Sequence, residues 1–181
     1  MKIHTLLLGL GAWLLTALSA FAQTNYYLKM DRGLTGSVVA EGFVGAFDVQ
    51  SFSMAQSRGA SAAGGGPVEL SAPSISELSV NMSMDTKGYA ALFAESLVGD
   101  DEITSTLSGV TGGGENRRTF MEYEVKGYIT GLSIQGVSGD QMFVTMTIFP
   151  RKVKVTTLHM NPDTTVDTAT KTYNLATQML E

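Results

Sequence analysis

A general base working near neutral pH would most naturally be a histidine. The chain has two, His4 in the amino-terminal apolar stretch and His159 before Asn161-Pro162. His159 has no partner set at a recognisable spacing and reads as a solvated turn residue. The chain has no cysteine, which removes disulfides, thiol catalysis and thiolate metal sites together. Ser133, in Gly-Leu-Ser-Ile-Gln, lacks the second glycine of a nucleophile elbow. The glycine runs at 64–66 and 112–114 match no phosphate-binding pattern, since no Gly-Lys pair follows either.

Two carboxylates could do glycosidase work, so each acidic group needs a reading. Asp100, Asp101 and Glu102 are adjacent and read as a solvated turn; Glu122 and Glu124 share the wet side of a strand with Lys126. No Asp-x-Asp-x-Asp-Gly calcium loop occurs. Asn81-Met82-Ser83 is a formal glycosylation sequon inside a strand pattern. Arg151, Lys152 and Lys154 read as a charged strand end that resists unwanted pairing. Arg117 and Arg118 read as the solubilising tip of a hairpin. The expectation is therefore no catalytic residue, no cofactor and no metal.

The elements that would position any site are mostly strands. Leu78, Val80, Met82 and Met84 alternate with polar residues in Glu77–Met84. The same period runs through Thr119–Thr130, Gln141–Phe149 and Arg151–Thr157. One apolar and one wet side is the mark of antiparallel sheet. The apolar parity jumps at Gly131, from Ile129 to Leu132 and Ile134, and at Pro150, from Ile148 to Val153. One inserted residue swaps the sides of everything downstream, so each jump predicts a β-bulge in a longer strand. Long strands bent in this way can curl a sheet into a barrel.

One helix is expected near Thr86–Val98, with Tyr89, Leu92, Phe93 and Leu97 at helical spacing. Asp85 or Thr86 would cap it and Gly99 would end it. Further strands are expected at Tyr26–Asp31, Val38–Val44, Phe47–Phe52 and Lys171–Thr177. Ala55–Pro67 reads as a long structureless loop, a kind of segment that is often functional. Thr111–Arg118 reads as a hairpin tip.

The amino terminus sets the compartment. Lys2 precedes an apolar run, Leu6–Leu18, that closes on Ala20-Phe21-Ala22, a signal-peptidase pattern with cleavage before Gln23. The run is short for a membrane span, which needs roughly 20 apolar residues. Residues 1–22 are thus expected to leave as a signal peptide and 23–181 to form one domain, periplasmic or secreted, with no stable membrane anchor. The net charge is −5, and loss of Lys2 makes it one unit more acidic, which argues against a nucleic-acid partner.

The order of the pieces carries a resemblance. Ser51-Phe52-Ser53-Met54 leads into the Gly/Ser-rich segment, and the chain returns through Pro67-Val68-Glu69-Leu70. Ile75-Ser76-Glu77-Leu78-Ser79-Val80, one helix, a strand pair across Gly112-Gly113-Gly114-Glu115 and a final Tyr173-Asn174-Leu175 follow. From Tyr26 to Thr177 this resembles the haemolysin-coregulated proteins (Hcp), the tube proteins of type VI secretion. The resemblance implies a small antiparallel β-barrel with one flanking helix. It also implies a homohexameric ring that stacks into a tube, with effectors or other secretion-system proteins as partners. The inter-ring contact would fall to the long loop, at Gln56, Ser57, Arg58, Gly64, Gly65 and Gly66. The cleavable signal departs from the family, whose members are ejected without one.

Composition bears on assembly as well. Charged residues make up 16% of the chain, against about 25% in typical soluble domains. Expected outward strand positions are Thr and Ser: Thr104, Thr106, Ser108, Thr145 and Thr147. Charge-poor surface suits an interface core. Two readings stand: an exported ring-forming structural subunit, and a secreted monomeric binding module that holds a protein or carbohydrate ligand.

Overall fold

The computed structural model describes residues 24–62, 68–112, 117–136, 141–160 and 166–181. Ala20, Ala22 and Gln23 lie outside them, as do Gly64, Gly65 and Gly66. The strands are β1 (Thr24–Met30), β2 (Phe47–Ser53), β3 (Gln56–Ser57), β4 (Ala60–Ser61), β5 (Glu69–Leu70), β6 (Ser74–Ile75) and β7 (Leu78–Ser83). After the helix α1 (Tyr89–Val98) come β8 (Ile103–Thr111), β9 (Arg118–Gln135), β10 (Phe143–Met160), β11 (Val166–Asn174) and β12 (Met179–Leu180). The chain is mainly β, and every pairing among the described strands is antiparallel.

Alternation explains the main sheet. Leu78, Val80 and Met82 are buried on one side of β7, and Val144, Met146 and Ile148 on the same side of its neighbour β10. The sheet runs β12-β11-β10-β7-β2-β1-β8-β9, and β9 then pairs back onto β10. Six strands thus close into a ring around one core, with Leu28, Phe47, Leu107 and Val125 buried inside it. β10 pairs with β9 along most of its length. Its other edge holds β7 at Phe143–Ile148 and β11 at Lys152–Met160.

Both parity jumps are bulges. The β9–β10 register shifts between Thr147 and Ile148, which leaves Thr130 as the extra residue beside Gly131. It shifts again between Pro150 and Lys152, which leaves Arg151 as the extra residue beside Pro150. The two expected strands at Gln141–Phe149 and Arg151–Thr157 are accordingly one 18-residue strand, and Val153 returns to the core downstream of the bulge.

Three expectations need correction. Val38–Val44 is a run of turns, because Gly42 and Gly45 both sit at φ 79, where a ladder cannot continue. This segment folds over the far side of β1 and β8, where Phe43 stacks on Tyr27 with centroids 4.7 Å apart. The last long strand ends at Asn174 rather than Thr177. The Asn174 side-chain oxygen accepts from the backbone N–H groups of Ala176 and Thr177 and turns the chain back into β12. Ala55–Pro67 is not structureless, since its described part carries β3 and β4.

The helix is ten residues, Tyr89–Val98, and Gly99 ends it with its N–H on the Glu95 carbonyl. Asp85 does not cap α1 directly. Its carboxylate accepts from the N–H groups of Lys87 and Gly88 in the turn before. Of the expected apolar stripe, Leu92 is buried and Tyr89 packs on the core, but Phe93 and Leu97 are exposed with Val98. A short helix laid against a curved sheet meets it through little more than one turn.

Candidate assembly surface

The segment between β2 and β7 is a two-stranded arm. Ser76 donates its N–H to the Ala55 carbonyl, and its hydroxyl accepts from the Ala55 N–H. Gln56 and Ser57 then pair with Ile75 and Ser74, and the two serine hydroxyls bond at 2.7 Å. Farther out, Gly59 and Ser71 bond through backbone and side chain, and Ala60 and Ser61 pair with Leu70 and Glu69. Sequence period alone did not find these rungs, because small residues with nothing to bury show no alternation. At roughly 3.3 Å per strand residue, Ala55–Ser61 reach as far as about 20 Å. All of them are exposed.

Of the loop residues expected to matter, the structure places Gln56, Ser57 and Arg58 together on one strand of the arm. Arg58 Nε donates to the Ser71 carbonyl at 2.7 Å and braces the two strands against each other. Val68 and Leu70 are exposed on the returning strand, although isolated arms of this kind gain nothing from exposed apolar groups. Such an arm is stable only as an extension of β2 and β7.

The arm's base roofs a cleft of about 520 Å³. The cleft exists because β10 changes neighbour. β7 leaves its edge after Ile148 and β11 takes over from Lys152, so β6 and β11 diverge like a fork. Val153 and Val155 of β10 lie between the prongs, with Ile75 on the arm side and Tyr173 on the other.

The outward sheet positions are half-buried at Thr104, Thr106, Thr145 and Thr147. Ser108 departs from the expected outward set at 4% exposure. It lies opposite Tyr27, on the side that the 34–46 segment covers.

Charged groups are mostly spoken for. Glu102 pairs with Lys126, Glu124 with Lys154 and Lys152 with Glu181, which places the expected charged strand end in a ladder of exposed ion pairs. Hydrogen bonding to Lys152, and its charge, hold the Glu181 carboxyl below the usual range. Asp101 is not free in a turn but meets Arg32 at 3.0 Å, and Arg32 also reaches Glu95 on α1. Arg32 carries no motif in the sequence beyond the turn-forming Asp31-Arg32-Gly33, and the structure places both Arg32 and Gly33 at positive φ. Arg117 is half-buried and donates to the Glu41 carbonyl, so it anchors the hairpin rather than solubilising its tip. His159 is exposed on β10 opposite Asp167, in a strand and not a turn. Ser133 is exposed on β9. Among the described residues, no group of three His, Asp or Glu could hold a metal ion.

Burial pushes the Asp85 carboxyl up, but hydrogen bonds from the Ser37 hydroxyl and from the N–H groups of Lys87, Ser37 and Gly88 outweigh it. The net effect is a carboxyl below its ordinary value. This group ties the 34–46 segment to the start of α1.

No family model matches the chain. No curated protein matches it by sequence. Solved structures do match. A type six secretion system protein superposes with a TM-score of 0.78 at 16% identity, covering 88% of this chain and all of that one. Hcp1 from Salmonella typhimurium follows at 0.69 and 16%, covering 87% and 99%. Hcp1 from E. coli EAEC 042 gives 0.60 at 10%, covering 82% and 98%. The fold is therefore that of the Hcp proteins, and it extends over nearly the whole of each.

Proposed function

We propose that this chain is an exported, non-enzymatic structural subunit of the type VI tube kind, which assembles as a homohexameric ring. The observation that carries this reading is the superposition of 88% of this chain on the whole of the matched type six secretion system chain. On this reading the six-strand ring is a small β-barrel and α1 is its flanking helix. Residues 1–22 act as the signal peptide, cut before Gln23, and deliver the protein to the periplasm or beyond. The arm, with Gln56, Ser57 and Arg58 at its base, reaches to a neighbouring ring, and Gly64, Gly65 and Gly66 take part in the same inter-ring contact. Effectors or other secretion-system proteins are the further partners.

Two measurements test it. Light scattering of the protein from Gln23 should return a hexamer mass, and a monomer at micromolar concentration would sink the ring. Replacing residues 56–75 by a short turn removes both strands of the arm together. The shortened protein should fold, since loop length changes closure entropy only slowly, and should form rings that do not stack. A second reading, a secreted monomeric binding module, is favoured by the cleft under the arm, and a monomer mass would support it.

A further inference from the structure

We propose that the cleft beneath the arm binds an aliphatic carboxylate, its alkyl chain lying on Val153, Val155 and Ile75 and its carboxylate held between Arg58 and Lys171. About 520 Å³ is within the range of small-molecule sites, which are mostly apolar with a few placed polar groups. The charge on the walls selects the headgroup. Arg58 and Lys171 both line the cleft, and among the described residues no acidic one does. In a chain of net charge −5 that is a local reversal of sign.

These two cations also differ from those nearby. Lys126, Lys152 and Lys154 are each paired to a carboxylate, whereas neither Arg58 nor Lys171 is ion-paired among the described residues. Arg58 is held by Nε on the Ser71 carbonyl, which leaves the two outer nitrogens of the guanidinium for a planar anion.

A separate observation lies on the cleft wall. The Tyr173 hydroxyl is buried and has no hydrogen-bond partner among the described residues, although Tyr173 lines the cleft. Buried hydroxyls are rarely left so, because the unmade bond costs stability. A carboxylate oxygen would accept from it. The apolar floor has an equally plain cause. Val153 and Val155 face the core side of β10 only because the Arg151 bulge turned them there. Both lie past the end of β7; Val153 is buried in the core there, and Val155 is only half-buried.

The proposal is independent of ring assembly, and its test separates the two. Decanoate is titrated into the protein, with binding read by calorimetry and by methyl NMR. Saturable binding with shifts at Val153, Val155, Ile75 and Leu180 is expected, and decanol, with the same chain and no charge, should bind at least about tenfold more weakly. Lys171→Gln should weaken decanoate by about tenfold, as should Arg58→Gln. Lys171 is exposed and plays no part in bracing the arm, so its variant keeps the test clean if loss of Arg58 loosens the arm. Tyr173→Phe should weaken binding without loss of stability. Equal binding of decanol, unchanged affinity in Lys171→Gln, or shifts centred on Leu97 and Val98 of α1 would each overturn the proposal. So would saturation by a peptide with a free C-terminal leucine where decanoate fails, which would assign the cleft to a polypeptide end.

Discussion

Closure of the strand ring depends on a close approach at Gly127, and its replacement by alanine tests that dependence. Gly127 lies opposite Pro150 in the β9–β10 ladder, next to the bulge at Arg151. A Cβ there would fall on the Phe149 carbonyl and stand 3.1 Å from the Pro150 Cα. Both are backbone atoms, so relief requires moving a strand rather than turning a side chain. Overpacking of that sort costs about 2–3 kcal/mol, and the lower chain entropy of alanine returns about 0.5 kcal/mol. Gly127→Ala should therefore lose about 2 kcal/mol. In a domain of this size that lowers Tm by roughly 4–8 °C.

Gly131→Ala is the matched comparison. Its Cβ would meet only the Thr147 hydroxyl, at 2.5 Å. Rotating Thr147 frees the space at the cost of a weak 3.3 Å contact to Thr130, so the change should be within about 0.5 kcal/mol of zero. Urea titration at one fixed protein concentration gives both values, with an unchanged m confirming that the unfolding reaction is the same. Equal losses at the two glycines, or a neutral Gly127→Ala, would refute the argument that backbone contact at the bulge closes the ring.

Two more predictions rest on single polar groups. The Ser105 hydroxyl is buried in the core with no hydrogen-bond partner among the described residues, so Ser105→Ala should be neutral or stabilise by up to about 1 kcal/mol; a clear loss in urea titration would show a hidden partner. Asp85 has its folded carboxyl held below the unfolded value of 3.8. Its stabilisation is therefore present above the unfolded value and fades as pH falls through the lower folded one. Asp85→Asn should flatten the acid limb of a stability–pH curve, and an unaltered limb would remove Asp85 from the account.

What could be read from sequence follows where burial enforces a period. Leu78, Val80 and Met82 had to alternate because the core lies on one side of β7, and the parity jumps at Gly131 and Pro150 had to be bulges for the same reason. The arm buries almost nothing, so its rungs at Ser57–Ser74 and Gly59–Ser71 left no periodic trace. Val38–Val44 misled in the opposite sense. It has the apolar residues of a strand, but glycines at φ 79 fold it into turns whose apolar groups cover Tyr27 from outside. The stripe on α1 had the right period, yet only Leu92 is buried, because period reports which side is apolar and not whether anything lies against it. The glycine that matters most, Gly127, was invisible for yet another reason. Its constraint comes from Phe149, a residue more than twenty positions away.

The bulge at Arg151 links the closed core to both outward features. Without it, β10 would continue with Val153 and Val155 turned to solvent, as a one-residue change of register requires. With it they stay on the core side after β7 has departed, and β11 can take the vacated edge of β10. That exchange of neighbours opens the fork in which the cleft lies, and it frees β2 and β7 to run on together as the arm. It also leaves the main sheet a free edge among the described strands, along β11 and β12. β12 pairs with β11 only at Tyr173 and Asn174, and Glu181 adds two backbone bonds to Thr172. From Val166 to Lys171 no second neighbour is paired among the described residues. An exposed strand edge is a ready template for another chain, and a contact repeated head to tail grows without limit unless its rotation closes a ring. The β11–β12 edge and the projecting arm are two separate exposed surfaces of this Hcp-like fold.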